Sequence, residues 1–240
     1  MTNTVQPLAT SFMIDGRPVP LRLVANARAK RLIVRIDRSG AVVVTAPSKR
    51  LLPKALAFAE SRKDWIREQL KTAPCPAPFA PGFEIPVRGV KHLIRRADNP
   101  VLRSAQIVAA PRPTIHVGGD AGQIARRVRE RLVREARVDF TYWTSEFSEI
   151  LNQRRGRISL RDPRSRWGSC NAKGDLSFSW RLVMAPPHVL EYVAAHECAH
   201  LVHMDHSPAF WRTVGRLVED MEPAKAWLRE NGARLHAYGS

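Results

Sequence analysis

Cysteine and acidic residues are the classes that this 240-residue chain has in short supply. Three cysteines do not make a disulfide framework, so the composition excludes disulfide-stapled secreted domains and favours a reducing, cytoplasmic environment. No apolar run reaches the length of a membrane-spanning helix, and the first residues lack the basic-then-apolar pattern of a signal peptide. We therefore expect a soluble cytoplasmic protein without a membrane partner.

The charge balance is strongly positive. Lys and Arg number 39 against 22 Asp and Glu, which gives a formal net charge of +17. Such a field attracts anions, including nucleic acid and nucleotides, and says nothing about the fold. Arginines crowd residues 126–137 of a predicted helix. We expect most of them to form a solvated face, and association of this surface with a nucleic-acid backbone is the alternative.

Hydrophobic periodicity predicts an α+β fold with a β-rich N-terminal region at residues 1–117. Alternating patterns indicate strands at residues 19–25, 31–37 and 41–45, with Ser39-Gly40 as a hairpin turn between the last two. One helix at residues 51–71 and a proline-rich connector at residues 73–82 follow, and short strand candidates continue to residue 117.

A long helix is predicted to open the second domain, residues 118–240. Asp120 is its candidate N-cap, and apolar residues recur at three- and four-residue intervals to about residue 152. Strands with a turn at residues 171–175 then form a hairpin directly before a further helix.

That further helix, opened by Pro186-Pro187, carries the chemistry in the motif His196-Glu197-x-x-His200. Two histidines four residues apart project from one face of a helix, about one turn apart, where they can share a metal ion. Glu197 is placed to take a proton from a metal-bound water. The motif therefore predicts a metal-dependent hydrolase, with Zn²⁺ as the expected cofactor. A helix that carries solvated histidines without a metal is the competing interpretation.

A catalytic zinc site has three protein ligands and an open position, so the chain must supply one more ligand. We predict His206, which follows the motif by six residues, where Ser207 as N-cap and Pro208 as first residue begin a new helix. Glu219 or Glu222 on a following helix is the alternative, in the arrangement of thermolysin-like enzymes.

Catalysis also needs a donor for the negative charge that develops on the attacked oxygen. Arg166 and His203 are the candidates, and we group them with Glu197 as catalytic residues. Tyr192 is a weaker candidate for the same role.

Linked motifs around the metal helix make the chain resemble a known family. The quoted segments are Ser165-Arg166-Trp167-Gly168-Ser169-Cys170, Trp180-Arg181-Leu182, Tyr192-Val193 ahead of His196-Glu197-Cys198-Ala199-His200, and His206-Ser207-Pro208 with Phe210-Trp211. These segments lie close together over residues 161–211, and through them the chain resembles the YgjP family of zinc-dependent metallohydrolases. The resemblance implies a zincin-like catalytic domain with His196, His200 and His206 as metal ligands and Glu197 as the catalytic carboxylate. A broader similarity extends to SprT- and Wss-type proteases, which act on proteins crosslinked to DNA.

Three functions remain open after these considerations. A zinc metallopeptidase with a polypeptide substrate comes first, because the hairpin before the metal helix can pair with an extended chain. A nucleoside triphosphate pyrophosphatase activity, on UTP, is also associated with the family, and the arginines of residues 154–166 suit a polyphosphate. A nucleic-acid-binding module with structural zinc is the alternative of a different class, and it would normally need four protein ligands.

Overall fold

The computed structural model describes residues 9–37, 41–72, 77–99, 102–163 and 165–239, and the predicted α+β fold is confirmed within them. The strands are β1 (Ala9–Ile14), β2 (Arg17–Ala25), β3 (Ile33–Ile36), β4 (Val42–Ala46), β5 (Glu84–Val87), β6 (Val90–Arg96), β7 (Gln106–Val108), β8 (Thr114–Val117), β9 (Ile158–Arg161), β10 (Gly168–Cys170) and β11 (Leu176–Ser179). The helices are α1 (Leu52–Ser61), α2 (Lys63–Thr72), α3 (Ala121–Ile150), α4 (Pro187–Ala199), α5 (Pro208–Leu217) and α6 (Glu222–Leu235), with 3-10 helices at Lys49–Leu51 and Trp180–Met184. None of the described helices combines the length and apolar character that a membrane crossing needs.

The chain divides into two compact units, one up to Pro76 and one from Ala77 to Gly239. This boundary lies within the predicted connector, not after residue 117. Strands β5 to β8 fall in the second unit because Ile85, Ile94 and Ile115 are buried in the same apolar core as α3. Alternation in the sequence identifies strands, but it does not reveal which core they share.

The first unit is a four-stranded sheet in the order β1-β2-β4-β3, with β2 and β4 parallel and the other pairs antiparallel. Buried residues of α1 and α2, including Ala55 and Ile66, share a core with those of the sheet. The single helix predicted at residues 51–71 is two helices, because the backbone leaves the helical conformation at Arg62. The antiparallel pairing of β3 and β4 confirms the predicted hairpin, while its turn at Ser39-Gly40 lies outside the described residues.

Helix α3 is the central element of the second unit. The Asp120 side chain accepts a hydrogen bond from the Gln123 N–H at 2.9 Å, which confirms the predicted N-cap. Its apolar stripe is buried, and Phe140 stacks on Phe178 of β11 with ring centroids 4.1 Å apart. The two sheets of this unit, ordered β5-β6-β8-β7 and β10-β11-β9, contribute their buried residues to the same core.

The predicted hairpin before the metal helix is β10 and β11, paired antiparallel. Its turn is fixed by the Asn171 side-chain oxygen, which accepts hydrogen bonds from the N–H groups of Lys173 and Asp175, each at 2.9 Å. Strand β10 lies at the edge of its sheet, since β11 is its only neighbour among the described strands. The same strand packs beside α4.

Helix α4 is apolar on nearly all sides, as expected for a helix inside a core. Proline begins it, and it ends at the cap residue His200. A short turn follows, and Ser207 caps α5 by accepting a hydrogen bond from the Phe210 N–H at 3.4 Å. The predicted helix start at Ser207-Pro208 is therefore confirmed.

Phe140→Ala tests the α3 packing. We expect it to lower the free energy of unfolding by about 3–5 kcal/mol, because a fully buried ring stacked on Phe178 leaves a cavity. Val138→Ala on the same helix is the matched control, since Val138 is 63% exposed and should change stability by less than about 0.5 kcal/mol. Urea unfolding followed by circular dichroism measures both, and equal losses would contradict the packing described.

Candidate metal centre

Three imidazoles converge where α4 ends and α5 begins. His196 and His200 lie one helical turn apart, with ring centroids separated by 5.1 Å. His206 reaches them from the turn before α5, and its Nε2 lies 3.1 Å from the Nε2 of His196. Its position depends on the cap of α5, because Ser207 fixes the backbone immediately after it.

The arrangement fits a divalent metal ion. One ring nitrogen from each of the three histidines lies within 4.8 Å of the others. A tetrahedral zinc with Zn–N bonds of about 2.0–2.1 Å holds two nitrogens about 3.3 Å apart, close to the His196–His206 spacing. Among the described residues, no fourth His, Cys, Asp or Glu side chain joins the group. Catalytic zinc sites use three protein ligands, whereas closed structural sites use four.

Burial favours the neutral, metal-binding form of the His196 and His200 rings. Burial lowers the pKa of His196 to about 4, and the neighbouring charges of His200, His206 and Lys225 add to the effect. Burial also lowers the pKa of His200, and this is partly opposed by a hydrogen bond to the carbonyl of His203. In that bond Nδ1 of His200 donates at 2.9 Å, which leaves its Nε2 for the ion.

Aromatic rings support the histidines from one side. The fully buried Phe210 ring lies 5.0, 4.5 and 4.7 Å from the rings of His196, His200 and His206. Nδ1 of His196 is buried and has no hydrogen-bond partner among the described residues. The His196 ring is therefore oriented by packing against Phe210 and Trp211. The His200 ring, in contrast, is oriented by its hydrogen bond to the His203 carbonyl. From the sequence, Phe210 is identified only as part of the family resemblance, not as a support for the histidines.

Glu197 follows His196 directly in α4 and is buried, with 6% of its surface exposed. Burial raises the pKa of its carboxyl to about 7, and the positive charge of Arg166 opposes that rise. The carboxyl rests on Gly168 of strand β10, where an added Cβ would meet Glu197 Oε1 at 2.5 Å. Sequence reasoning missed this role of Gly168, although a glycine in a predicted strand is a known sign of close approach.

The other predicted catalytic residues lie at different places around the site. Arg166 is exposed just before β10, close enough to Glu197 for its charge to act on the carboxyl. His203 is half-buried and contributes its backbone carbonyl, and its ring is absent from the ring contacts of the three histidines in the described chain. The largely buried Tyr192 lies with its ring 6.1 Å from that of His196.

The alternative ligands are not part of the histidine group. Glu219 is exposed, and Glu222 forms an ion pair with Lys225 at 2.8 Å. Burial raises the pKa of Cys170 to about 11 and that of Cys198 to about 12, so both remain thiols at neutral pH rather than thiolate ligands. Cys75 lies outside the described residues.

Most arginines in the first half of α3 are engaged within the protein. Arg126 pairs with Glu130, and Arg131 with Glu135. The guanidinium of Arg127 donates to the carbonyl of Gly118. Association of the remaining surface with a nucleic-acid backbone stays a prediction.

Comparison with known proteins gives a family match. A family model described as "YgjP-like, metallopeptidase domain" matches residues 30–231. Among solved structures, the chain is similar to the metallopeptidase zymogen of Pyrococcus abyssi abylysin, with 20% identity over 39% of this chain and 92% of that chain and a TM-score of 0.35. A likeness of that size carries no argument about function. A search of curated proteins finds no match.

Metal content of single variants tests the ligand group. After zinc loading and dialysis, we expect His196→Ala, His200→Ala and His206→Ala each to retain much less than one equivalent, because two imidazoles hold the ion weakly. His203→Ala is the matched control and should retain one equivalent, because its contribution to His200 comes from the backbone. Mass spectrometric metal analysis measures all four, and full retention by His206→Ala would remove that residue from the group.

Proposed function

We propose that this chain, which belongs to the YgjP-like metallopeptidase family, is a zinc-dependent peptidase. Family membership makes it a metal-dependent hydrolase. Zinc as the ion, a polypeptide as the substrate and the residue roles below are the proposal. The observation that carries it is the group of three histidine nitrogens within 4.8 Å, together with a buried glutamate that directly follows the first of these histidines in the chain.

Zinc is the ion that this donor set suits best. His196, His200 and His206 offer three neutral imidazoles and no carboxylate, a set that borderline metals prefer over Mg²⁺ or Ca²⁺. When bound, such an ion lowers the pKa of a coordinated water and polarises the carbonyl under attack.

Glu197 moves the proton in this proposal. A general base works best when its pKa lies near the operating pH, and burial raises the pKa of this carboxyl to about 7. The carboxylate accepts the proton of the attacking water and passes it to the leaving amine. Gly168 keeps it in place, because its missing side chain leaves the space that Oε1 occupies.

Strand β10 is the element that can bind a polypeptide substrate in this proposal. It is an edge strand, and an extended chain can add to such an edge through main-chain hydrogen bonds. Because Gly168 in this strand touches Glu197, a peptide paired there would lie beside the carboxylate. Arg166, immediately before the strand, supplies a positive charge for the developing oxyanion.

Hydrolysis of nucleoside triphosphates is the second candidate, and Arg166 is the observation that favours it. An exposed guanidinium near the general base can hold a phosphate as readily as an oxyanion. A parallel turnover screen with unfolded protein, DNA-bound protein and UTP separates the functions. Phosphate or pyrophosphate release without peptide cleavage would overturn the peptidase proposal.

Glu197→Gln tests the general base. We expect it to lower kcat by about 10²–10⁴-fold, because the amide cannot accept the proton, and to retain one equivalent of zinc, because residue 197 is not a ligand. Peptide turnover and metal analysis on the same preparation measure the two effects. Wild-type turnover in this variant would exclude Glu197 as the base.

Gly168→Ala tests the contact between strand and carboxylate. The new methyl group would displace Glu197, so we expect kcat to fall by about 10²-fold, the order expected for a misplaced catalytic group, with zinc retained. Gly215→Ala is the matched control, because a Cβ there would come no closer than 3.9 Å to Met221 and should leave kcat unchanged. An active Gly168→Ala enzyme would contradict the assigned contact.

A further inference from the structure

We infer that Lys225 of α6 forms a substrate subsite beside the metal centre and selects peptides with an acidic side chain near the scissile bond. This inference rests on the proposed peptidase function. It assigns a role to a residue for which the sequence motifs give no sign.

One aromatic ring links Lys225 to the metal ligands. Its Nζ lies 4.5 Å from the centroid of the Trp211 ring, a cation–π contact that fixes the ammonium. The same ring lies 5.8 Å from the His196 ring and 5.9 Å from the His206 ring.

The internal partner of Lys225 can be replaced by a substrate. Glu222 pairs with Nζ at 2.8 Å, but the Glu222 side chain is 75% exposed and the pair spans one turn of α6. Exposed pairs of this kind contribute little, because water competes for both charges. To pair with Lys225, the free Glu222 side chain must lose conformational entropy. A substrate carboxylate that is already held by the bound peptide loses less entropy, so it can replace Glu222.

The rest of the site agrees with an acidic substrate. The chain carries a formal net charge of +17, which draws anionic polypeptides towards it. Arg166, just before β10, adds a second cation close enough to Glu197 for its charge to act on the carboxyl. Lys225 is the one set on an aromatic platform that directly contacts the ligand rings.

Cleavage-site profiling with a mixed peptide library tests the inference. Mass spectrometry of the products should show acidic residues enriched at one position relative to the bond cleaved by the zinc-loaded wild type. Lys225→Met, which keeps the apolar stem on Trp211, should lose that enrichment, and Lys225→Glu should favour Lys or Arg at the same position. Glu222→Gln should strengthen the acidic preference, because it removes the competitor.

Kinetics on matched peptides separate recognition from folding. For a peptide with Asp at the selected position against its Asn counterpart, we expect Lys225→Met to raise KM for the Asp peptide by roughly fivefold, with kcat for the Asn peptide less affected. Binding of the Asp peptide to zinc-loaded Glu197→Gln, measured by calorimetry with and without Lys225→Met, gives a readout that does not depend on turnover. Lys91→Glu, an exposed charge reversal on β6, is the matched control and should keep the wild-type profile.

The results of these experiments distinguish failure of the Lys225 inference from failure of the peptidase proposal. Wild-type enzyme that cleaves no peptide overturns the peptidase proposal and this inference with it. Cleavage with no acidic preference, or with a preference that survives in Lys225→Glu, overturns the inference alone. Thermal unfolding and zinc content of each variant identify a loss that comes from misfolding, and Glu222→Gln then gives the deciding comparison because its substitution is nearly isosteric.

Discussion

The site depends on one constraint, which is that three imidazoles from two elements meet at a single point. His196 and His200 are fixed by α4, a helix so buried that its orientation is set by the core on nearly all sides. His206 is fixed by the turn into α5 and the Ser207 cap. The Nε2 atoms of His196 and His206 lie 3.1 Å apart, where one imidazole can donate to the other or both can bind one ion. The buried Phe210 ring packs against all three histidine rings.

The parts of this site that follow from local sequence could be predicted. Histidines four residues apart share one helix face, whatever the surrounding fold, and a Ser-Pro pair begins a helix for local reasons. Alternation and turn residues likewise gave the hairpin β10–β11, and the apolar stripe with Asp120 gave α3. Each of these features depends on residues within a few positions of one another.

Features that depend on contacts between residues distant in sequence could not be predicted from the sequence. Gly168 matters because Glu197, far along the chain, occupies the space of its missing Cβ. Lys225 was missed because its link to the site runs through Trp211, whose ring contacts Lys225 on one hand and the rings of His196 and His206 on the other. The domain boundary was misplaced for the same reason, because only packing shows that Ile94 and Ile115 share a core with α3. The contact of His203 with His200 uses its backbone carbonyl, an acceptor that every residue carries, so nothing in the sequence pointed to it, and the oxyanion-donor role of its ring stays a prediction.

The central claim is that the ion has three protein nitrogens and one exchangeable position. X-ray absorption at the zinc edge of the loaded protein measures this most directly, because it counts nitrogen, oxygen and sulfur neighbours without crystals. We expect three imidazole nitrogens at about 2.0–2.1 Å and one light-atom ligand that azide or a hydroxamate replaces. A fourth, non-exchangeable protein ligand, or a sulfur at about 2.3 Å, would make the site structural and contradict the account.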